Sequence, residues 1–276
     1  MTKIPKKALA VLATYNEQRF VGACLKNLIR QGFEVYLIDN ESTDRTLDVA
    51  REYVGHGLIH IESLVRHGIY SWERILQRKV EIARDCEHDW VMHVDADEIR
   101  LPPPDFGTIL EAIERIDSEG YNAINFVELC FVPTLEAPDH EHPDFQSTMR
   151  WYYPLRPCMH HRLNLWKRTP VPVELAASGG HRVDFEGIRV WPTDFPMRHY
   201  LFLSTAHAKT KWVDRIYDPE ELKRGWHRSR AELRATDIAL LSSRELRLYR
   251  SDTELDASDP LSSHPVLTRR TDTEPR

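Results

Sequence analysis

The chain has 276 residues, enough to bury a sizeable core in one large α/β domain, or in one domain with an appendage. Its 37 Lys and Arg and 43 Asp and Glu give a formal net charge of -6, mixed along the chain without long single-sign blocks, which excludes a dedicated nucleic-acid binder. Cys24, Cys86, Cys130 and Cys158 form no C-x-x-C pair and read as thiols of a reducing compartment; no apolar run approaches the roughly 18 residues of a membrane span, so a soluble, cytoplasmic protein is expected.

Lys3, Lys6 and Lys7 ahead of an apolar run imitate a signal peptide, but the run is short and passes straight into Thr14-Tyr15-Asn16-Glu17 without a cleavage site. Ala8 to Thr14 is therefore expected as the first strand. Helical spacing of Phe20, Val21, Cys24, Leu25, Leu28 and Ile29 predicts a helix from Gln18 to Gln31, with Gly32 as its stop. A strand follows at Val35 to Ile38, then a helix from Ser42, whose hydroxyl is placed to cap it, then a weaker strand at Leu58 to Ile61. Ser71 to Arg84, with Ile75, Leu76, Val80 and Ala83 on one side, predicts a third helix, leading into the apolar run Trp90-Val91-Met92 and Val94. Strands alternating with helices mean βαβ units and a parallel sheet. After Pro102-Pro103-Pro104 the alternation weakens: a helix is expected at Phe106 to Ile116, a long strand at Tyr121 to Val132, and ordered loops with short strands from Pro133 to Pro172. Val183 to Val190 reads as a hairpin, Ser204 to Tyr217 as a helix, Pro219 to Arg250 as one or two charged helices, and residues 251–276 as a disordered tail.

The fourth strand breaks into acid at Asp95-Ala96-Asp97-Glu98. In an open parallel sheet, ligands bind outside the carboxyl ends of the strands, which is where these carboxylates fall, although an isolated D-x-D is more often a solvated strand end or a helix cap. The first loop contains no glycine, which excludes a phosphate-cradling loop of either the P-loop or the dinucleotide type. A bound diphosphate then needs a cation, and Asp95 and Asp97 offer the hard oxygen ligands that Mg2+ or Mn2+ prefers. Asp39, ending the second strand, can accept a hydrogen bond from a base or a ribose; turn chemistry is the alternative there and at Asn40, Ser42, Thr43 and Asp44.

The motifs A-T-Y-N-E-Q, L-I-D-N-E-S-T-D-R-T and H-V-D-A-D-E, in this order between residues 8 and 100, resemble the nucleotide-sugar half of a family 2 glycosyltransferase of the GT-A fold. The resemblance implies a GT-A-like, Rossmann-like, mostly parallel sheet flanked by helices, within a single domain over residues 1–250: a nucleotide-sugar half at 8–100 and a loop-rich acceptor half at 101–250. It implies a metal-dependent, inverting hexosyltransferase that uses Mn2+ or Mg2+ and a nucleoside-diphosphate sugar, UDP-linked as a rule. Thr14, Asn16 and Glu17 would lie near the base, Asp39 would read it, Asp95 would lie near ribose and metal, and Asp97 on the metal. The acceptor, whether saccharide, lipid-linked or small molecule, is not indicated.

The second half departs from the family pattern. The Glu-Asp pair that usually carries the base is absent, and Ser178-Gly179-Gly180-His181, Arg198-His199-Tyr200 and Lys209 stand in its place, resembling a less-studied branch. Some GT-A enzymes complete the metal shell with a late histidine; His199 is the first choice for that role here and His181 the second. Asp144, Glu128 and Asp184 are the candidate bases, Asp144 in a loop able to reach the sheet edge. Lys209, Arg150 and Arg156 could meet the diphosphate or an anionic acceptor, solvation being the alternative. Trp151, Tyr152 and Tyr153 could stack on a sugar or pack in the core, and His140 and His142 mimic a zinc pair without a partner cluster. Two other functions remain open: a sugar-phosphate nucleotidyltransferase, which usually carries a glycine-rich basic first loop, and a binding module for nucleotide sugars without turnover.

Overall fold

Seven residues of small and branched apolar side chains, Ala-Leu-Ala-Val-Leu-Ala-Thr, cannot be solvated on either face, and they form the central strand β1 (Ala8–Thr14). The computed structural model describes residues 6–267. After β1 come α1 (Val21–Arg30), β2 (Phe33–Asp39), α2 (Thr46–Arg51), β3 (Leu58–Ser63), α3 (Trp72–Asp85), β4 (Trp90–Asp95), β5 (Glu98–Arg100), α4 (Ile109–Ser118) and β6 (Ala123–Phe131). The chain continues through α5 (Phe145–Thr148), β7 (Trp151–Leu155), β8 (Arg162–Lys167), β9 (Phe195–Tyr200), α6 (Thr205–Ala208), α7 (Pro219–Lys223), α8 (Arg228–Ala231) and β10 (Arg247–Leu248).

These elements divide into two compact units. The first comprises the chain up to His67, Ser71–Glu128 and Cys158–His199. Its sheet runs β3-β2-β1-β4 with all neighbours parallel; β8 then pairs antiparallel with β4, and β6 antiparallel with β8. The result is the mixed, mostly parallel α/β sheet expected, with β8 as its antiparallel member. In register, Thr14 lies opposite Asp39 and Ala13 opposite Asp95, so the ends of β1, β2 and β4 form one carboxyl edge. A separate antiparallel ladder joins β5 to β9 and sets Glu98 opposite His199.

The helices are held by apolar stripes: Val21, Cys24, Leu25 and Leu28 in α1, and Ile109, Ala112, Ile113 and Ile116 in α4. Full burial of each Leu, Ile or Val side chain contributes roughly 1.5–3 kcal/mol. The α3 stripe is Ile75, Leu76, Ile82 and Ala83, with Lys79 among them in place of the expected Val80, which is only half-buried. α2 starts at Thr46 rather than near Ser42, because the Ser42 hydroxyl accepts a hydrogen bond from the Asn16 backbone and leaves that helix uncapped by it.

The second unit comprises Gly68–Tyr70, Leu129–Pro157 and the chain from Tyr200. Its core gathers Cys130, Tyr153, Leu155, Phe202, Trp212, Leu233 and Val266. The long helix expected over 204–217 is instead the short α6 continued by a wide turn over Lys209–Val213, and 219–250 holds only short helices and the two-residue β10. The expected hairpin at 183–190 is replaced by single bridges, Glu174 to Asp184 among them. Of the tail expected to be structureless, 251–267 carries a one-turn helix and buries Val266; residues 268–276 lie outside the described residues. No helix among the described residues is long and apolar enough to cross a membrane.

Candidate active site

The first and second βα loops are stitched together at the carboxyl edge. Asn16 adopts a left-handed backbone (φ 57°), and its amide oxygen accepts from the backbone N–H of Thr43 at 2.8 Å and of Asp44 at 3.3 Å. The Glu17 N–H donates to the Thr46 hydroxyl at 2.7 Å. Thr14 donates its hydroxyl to one Asp39 oxygen at 3.2 Å, and the Ser42 N–H donates to the other at 2.9 Å. Thr14, Asn16, Glu17 and Asp39 thus form one preorganised edge, with Asn16 acting as its staple. Beside it, the Arg66 guanidinium lies 3.6 Å from the Tyr15 ring centroid, a stacked cation that sequence reasoning missed.

At the end of β4 the chain turns sharply, with the Asp95 N–H donating to Glu98 Oε2 at 3.2 Å. The β5–β9 ladder then brings His199 to Asp97: Nε2 lies 3.2 Å from Asp97 Oδ2, and Nδ1 lies 2.5 Å from Glu128 Oε1. Burial opposes protonation of this imidazole, but Asp97 and Glu128 outweigh it and lift His199 to about 9. Glu128 is fully buried in β6 and is gripped by Arg162, whose Nε and Nη2 donate to its two oxygens at 2.7 Å each. Burial would raise the Glu128 carboxyl; Arg162 and the neighbouring histidines hold it well below the usual range. With its oxygens holding Arg162 and His199 and its carboxyl held low, Glu128 is a weak proton acceptor, which counts against it as the general base.

Buried charges continue behind this pair. Glu98 accepts from Arg100 Nη2 at 2.5 Å and lies 3.6 Å from Arg162 Nη1, while the Arg100 guanidinium covers the Phe126 ring at 4.3 Å. From α3, the Lys79 ammonium donates to the Val94 carbonyl and meets His93 Nδ1, both at 2.8 Å, and stands 3.8 Å from Asp95 Oδ1. Burial pushes Lys79 down to about 8 and, with the cations around it, holds His93 neutral. Burial raises the Asp95 carboxyl, and Lys79 opposes that rise.

The remaining candidates make other contacts. The second-choice ligand, His181, stacks on His161 at 4.7 Å and places Nδ1 3.2 Å from Arg162 Nη1, so its ring faces a guanidinium. Asp184 is exposed, its backbone paired with Glu174. In the second unit, Asp144 is exposed ahead of α5, Lys209 is ion-paired with Asp214 at 2.5 Å, and Arg150 donates to the Tyr249 carbonyl. Tyr152 and Tyr153 are 1% and 3% exposed, and Tyr152 stacks on Phe131, so these two are core residues and not a sugar platform. His140 and His142 share the Thr148 hydroxyl at 2.9 and 3.1 Å, a hydrogen-bonded turn.

Asp97 and His199 suit a divalent cation by their chemistry: a carboxylate oxygen and an imidazole nitrogen face each other, and the second imidazole nitrogen is fixed by a buried carboxylate, the usual support of a metal-ligating histidine. Sequence comparison matches residues 10–171 to the family described as "Glycosyl transferase family 2". An uncharacterized glycosyltransferase of Rickettsia bellii (strain RML369-C) is 27% identical over 95 residues, covering 34% of this chain and 29% of that one. One of Rickettsia typhi (strain ATCC VR-144 / Wilmington) is 29% identical over 93 residues, covering 34% and 28%. The matched segments thus span under a third of these relatives. Among solved structures, S. aureus TarS 1–349 in complex with UDP aligns with a TM-score of 0.42 at 16% identity, covering 74% of this chain and 65% of that one.

Proposed function

Because this chain belongs to glycosyl transferase family 2, we propose that it moves a sugar from a nucleoside-diphosphate sugar, UDP-linked by preference, to an acceptor hydroxyl in a cation-dependent, inverting reaction. The observation that carries this reading is the Asp97–His199 pair beside the carboxyl edge, with its imidazole held from behind by Glu128.

Thr14, Asn16 and Glu17 shape the floor under the base, and Asp39, whose two hydrogen bonds leave acceptor capacity on both oxygens, takes the base or ribose. Asp95, Asp97 and His199 would hold Mn2+ or Mg2+. The ion's contribution is to offset the charge that develops on the departing diphosphate. In one in-line displacement the acceptor oxygen bonds to the anomeric carbon, its proton passes to a carboxylate base, and the bond to the diphosphate oxygen breaks with its electron pair. With Glu128 engaged, the base on this reading is Asp184, exposed and in the same unit, Asp144 being a candidate from sequence alone.

A thermal-shift screen of UDP, GDP, CMP and their sugars, with and without Mn2+, tests the donor half. One nucleotide should raise the melting temperature only when Mn2+ is present. Stabilisation by nucleotide that is indifferent to Mn2+ and to chelator would contradict cation-dependent binding.

A further inference from the structure

The turn Asp95-Ala96-Asp97-Glu98 joins β4 to β5 and carries both carboxylates of the candidate cation site. Its last residue, Glu98, is 1% exposed. A carboxylate at that depth costs stability unless it is paired, and an apolar residue would fill the same volume without that cost, so packing alone does not explain a glutamate here. Its two oxygens face different partners. Oε2 accepts from the Asp95 N–H at 3.2 Å and from Arg100 Nη2 at 2.5 Å, while Oε1 lies 3.6 Å from Arg162 Nη1.

The contact with Asp95 fixes the turn from within. A side chain at its end holds the backbone at its start, and this sets the direction of Asp95 and, two residues on, of Asp97. The contact with Arg162 reaches His199 from behind. The guanidinium is a rigid plane with Nε and Nη2 on the two Glu128 oxygens at 2.7 Å each and Nη1 turned to Glu98, so the placement of one carboxylate constrains the other. Glu128 in turn holds His199 Nδ1 at 2.5 Å. The backbone closes the circuit, because the β5–β9 ladder sets Glu98 opposite His199. A glutamate that served only as counter-charge to Arg100 would need neither the Asp95 N–H nor an oxygen turned to Arg162.

We propose that Glu98 is a positioning residue for the cation site: its carboxylate fixes the Asp95–Asp97 turn directly and the His199 ring through Arg162 and Glu128, so that protein contacts alone hold the two aspartates and the imidazole in ligating order. This rests on the cation-dependent reading of the site given above.

The test follows Mn2+ binding to the whole chain by electron paramagnetic resonance in the presence of UDP or GDP. Glu98→Met, which removes both holds, should weaken Mn2+ about 10–100-fold. Glu98→Gln, whose amide oxygen can still accept from the Asp95 N–H, should recover at least about threefold of that loss. Amide exchange in the wild type, without metal or nucleotide, tests the same claim with no variant: the Asp95 N–H should exchange at least about 100-fold more slowly than an unstructured amide. A folded Glu98→Met protein with wild-type Mn2+ affinity would overturn the inference, leaving Glu98 a part of the fold only. So would an Asp95 amide that exchanges at the unstructured rate, whether or not the variants fold. A wild type that bound Mn2+ with neither nucleotide would refute the cation reading itself, and this inference with it.

Discussion

At the residue scale, the site is a chain of oriented charges: Asp97 faces His199, His199 leans on Glu128, and Glu128 is clasped by Arg162. In the proposed site Glu128 positions His199, and its removal tests that role. Glu128→Gln leaves Arg162 with a buried, half-compensated charge and frees the His199 ring, so denaturant titration should show a loss of about 3–5 kcal/mol. Mn2+ affinity measured with nucleotide bound should fall about 10–100-fold in the same protein. Stability lost with no change in Mn2+ affinity would mean that Glu128 supports only the fold. Asp39, Asp95 and Asp97 stand out in the sequence because their motifs are local and resemble a known pattern, and His199 stands out only through the Arg198-His199-Tyr200 motif. Glu98, Arg100 and Arg162 do not, because what makes them neighbours is the pairing of strands far apart in sequence. Lys79 left one faint sign, a charge three and four residues from Ile82, Ala83, Ile75 and Leu76 on a helix face otherwise apolar.

At the element scale, the Ser178-Gly179-Gly180-His181 motif is a turn that fits α3 by having no side chains at its centre. Both glycines have positive φ; the Gly179 carbonyl accepts from the Trp72 indole at 2.7 Å, and the Gly180 carbonyl from Asn164 at 2.9 Å. A Cβ on Gly180 would lie 2.9 Å from Leu76, 3.1 Å from Trp72 and 3.3 Å from His93, at φ +86°. Gly180→Ala should therefore cost about 1–3 kcal/mol in chemical denaturation. A change within 0.5 kcal/mol would show that α3 and the turn separate freely. The motif looked like a ligand-bearing loop in sequence; physically, the glycines are demanded by the approach of backbone to helix. The same limit explains the missed strand β9, where Pro196 and Arg198 interrupt the apolar pattern although Phe195, Met197, His199 and Tyr200 are buried.

At the scale of the whole molecule, the parallel strands β1 to β4 were legible because each is a short apolar run followed by turn chemistry, and α/β alternation leaves few topologies open. The later half was not, because its strands pair antiparallel with partners far back in the chain and carry no periodic signal of their own. That half nevertheless supplies His199 to the first unit through the β5–β9 ladder, which makes the candidate cation site a product of long-range pairing. The most direct test is release of nucleotide from a panel of UDP-, GDP- and CMP-sugars by wild-type protein and Asp97→Ala, each with Mn2+ and with chelator. At least one donor should be turned over by the wild type with Mn2+, and both the chelator and Asp97→Ala should cut that rate at least about 100-fold while circular dichroism shows the fold intact. A folded Asp97→Ala protein with full Mn2+-dependent turnover would contradict the account.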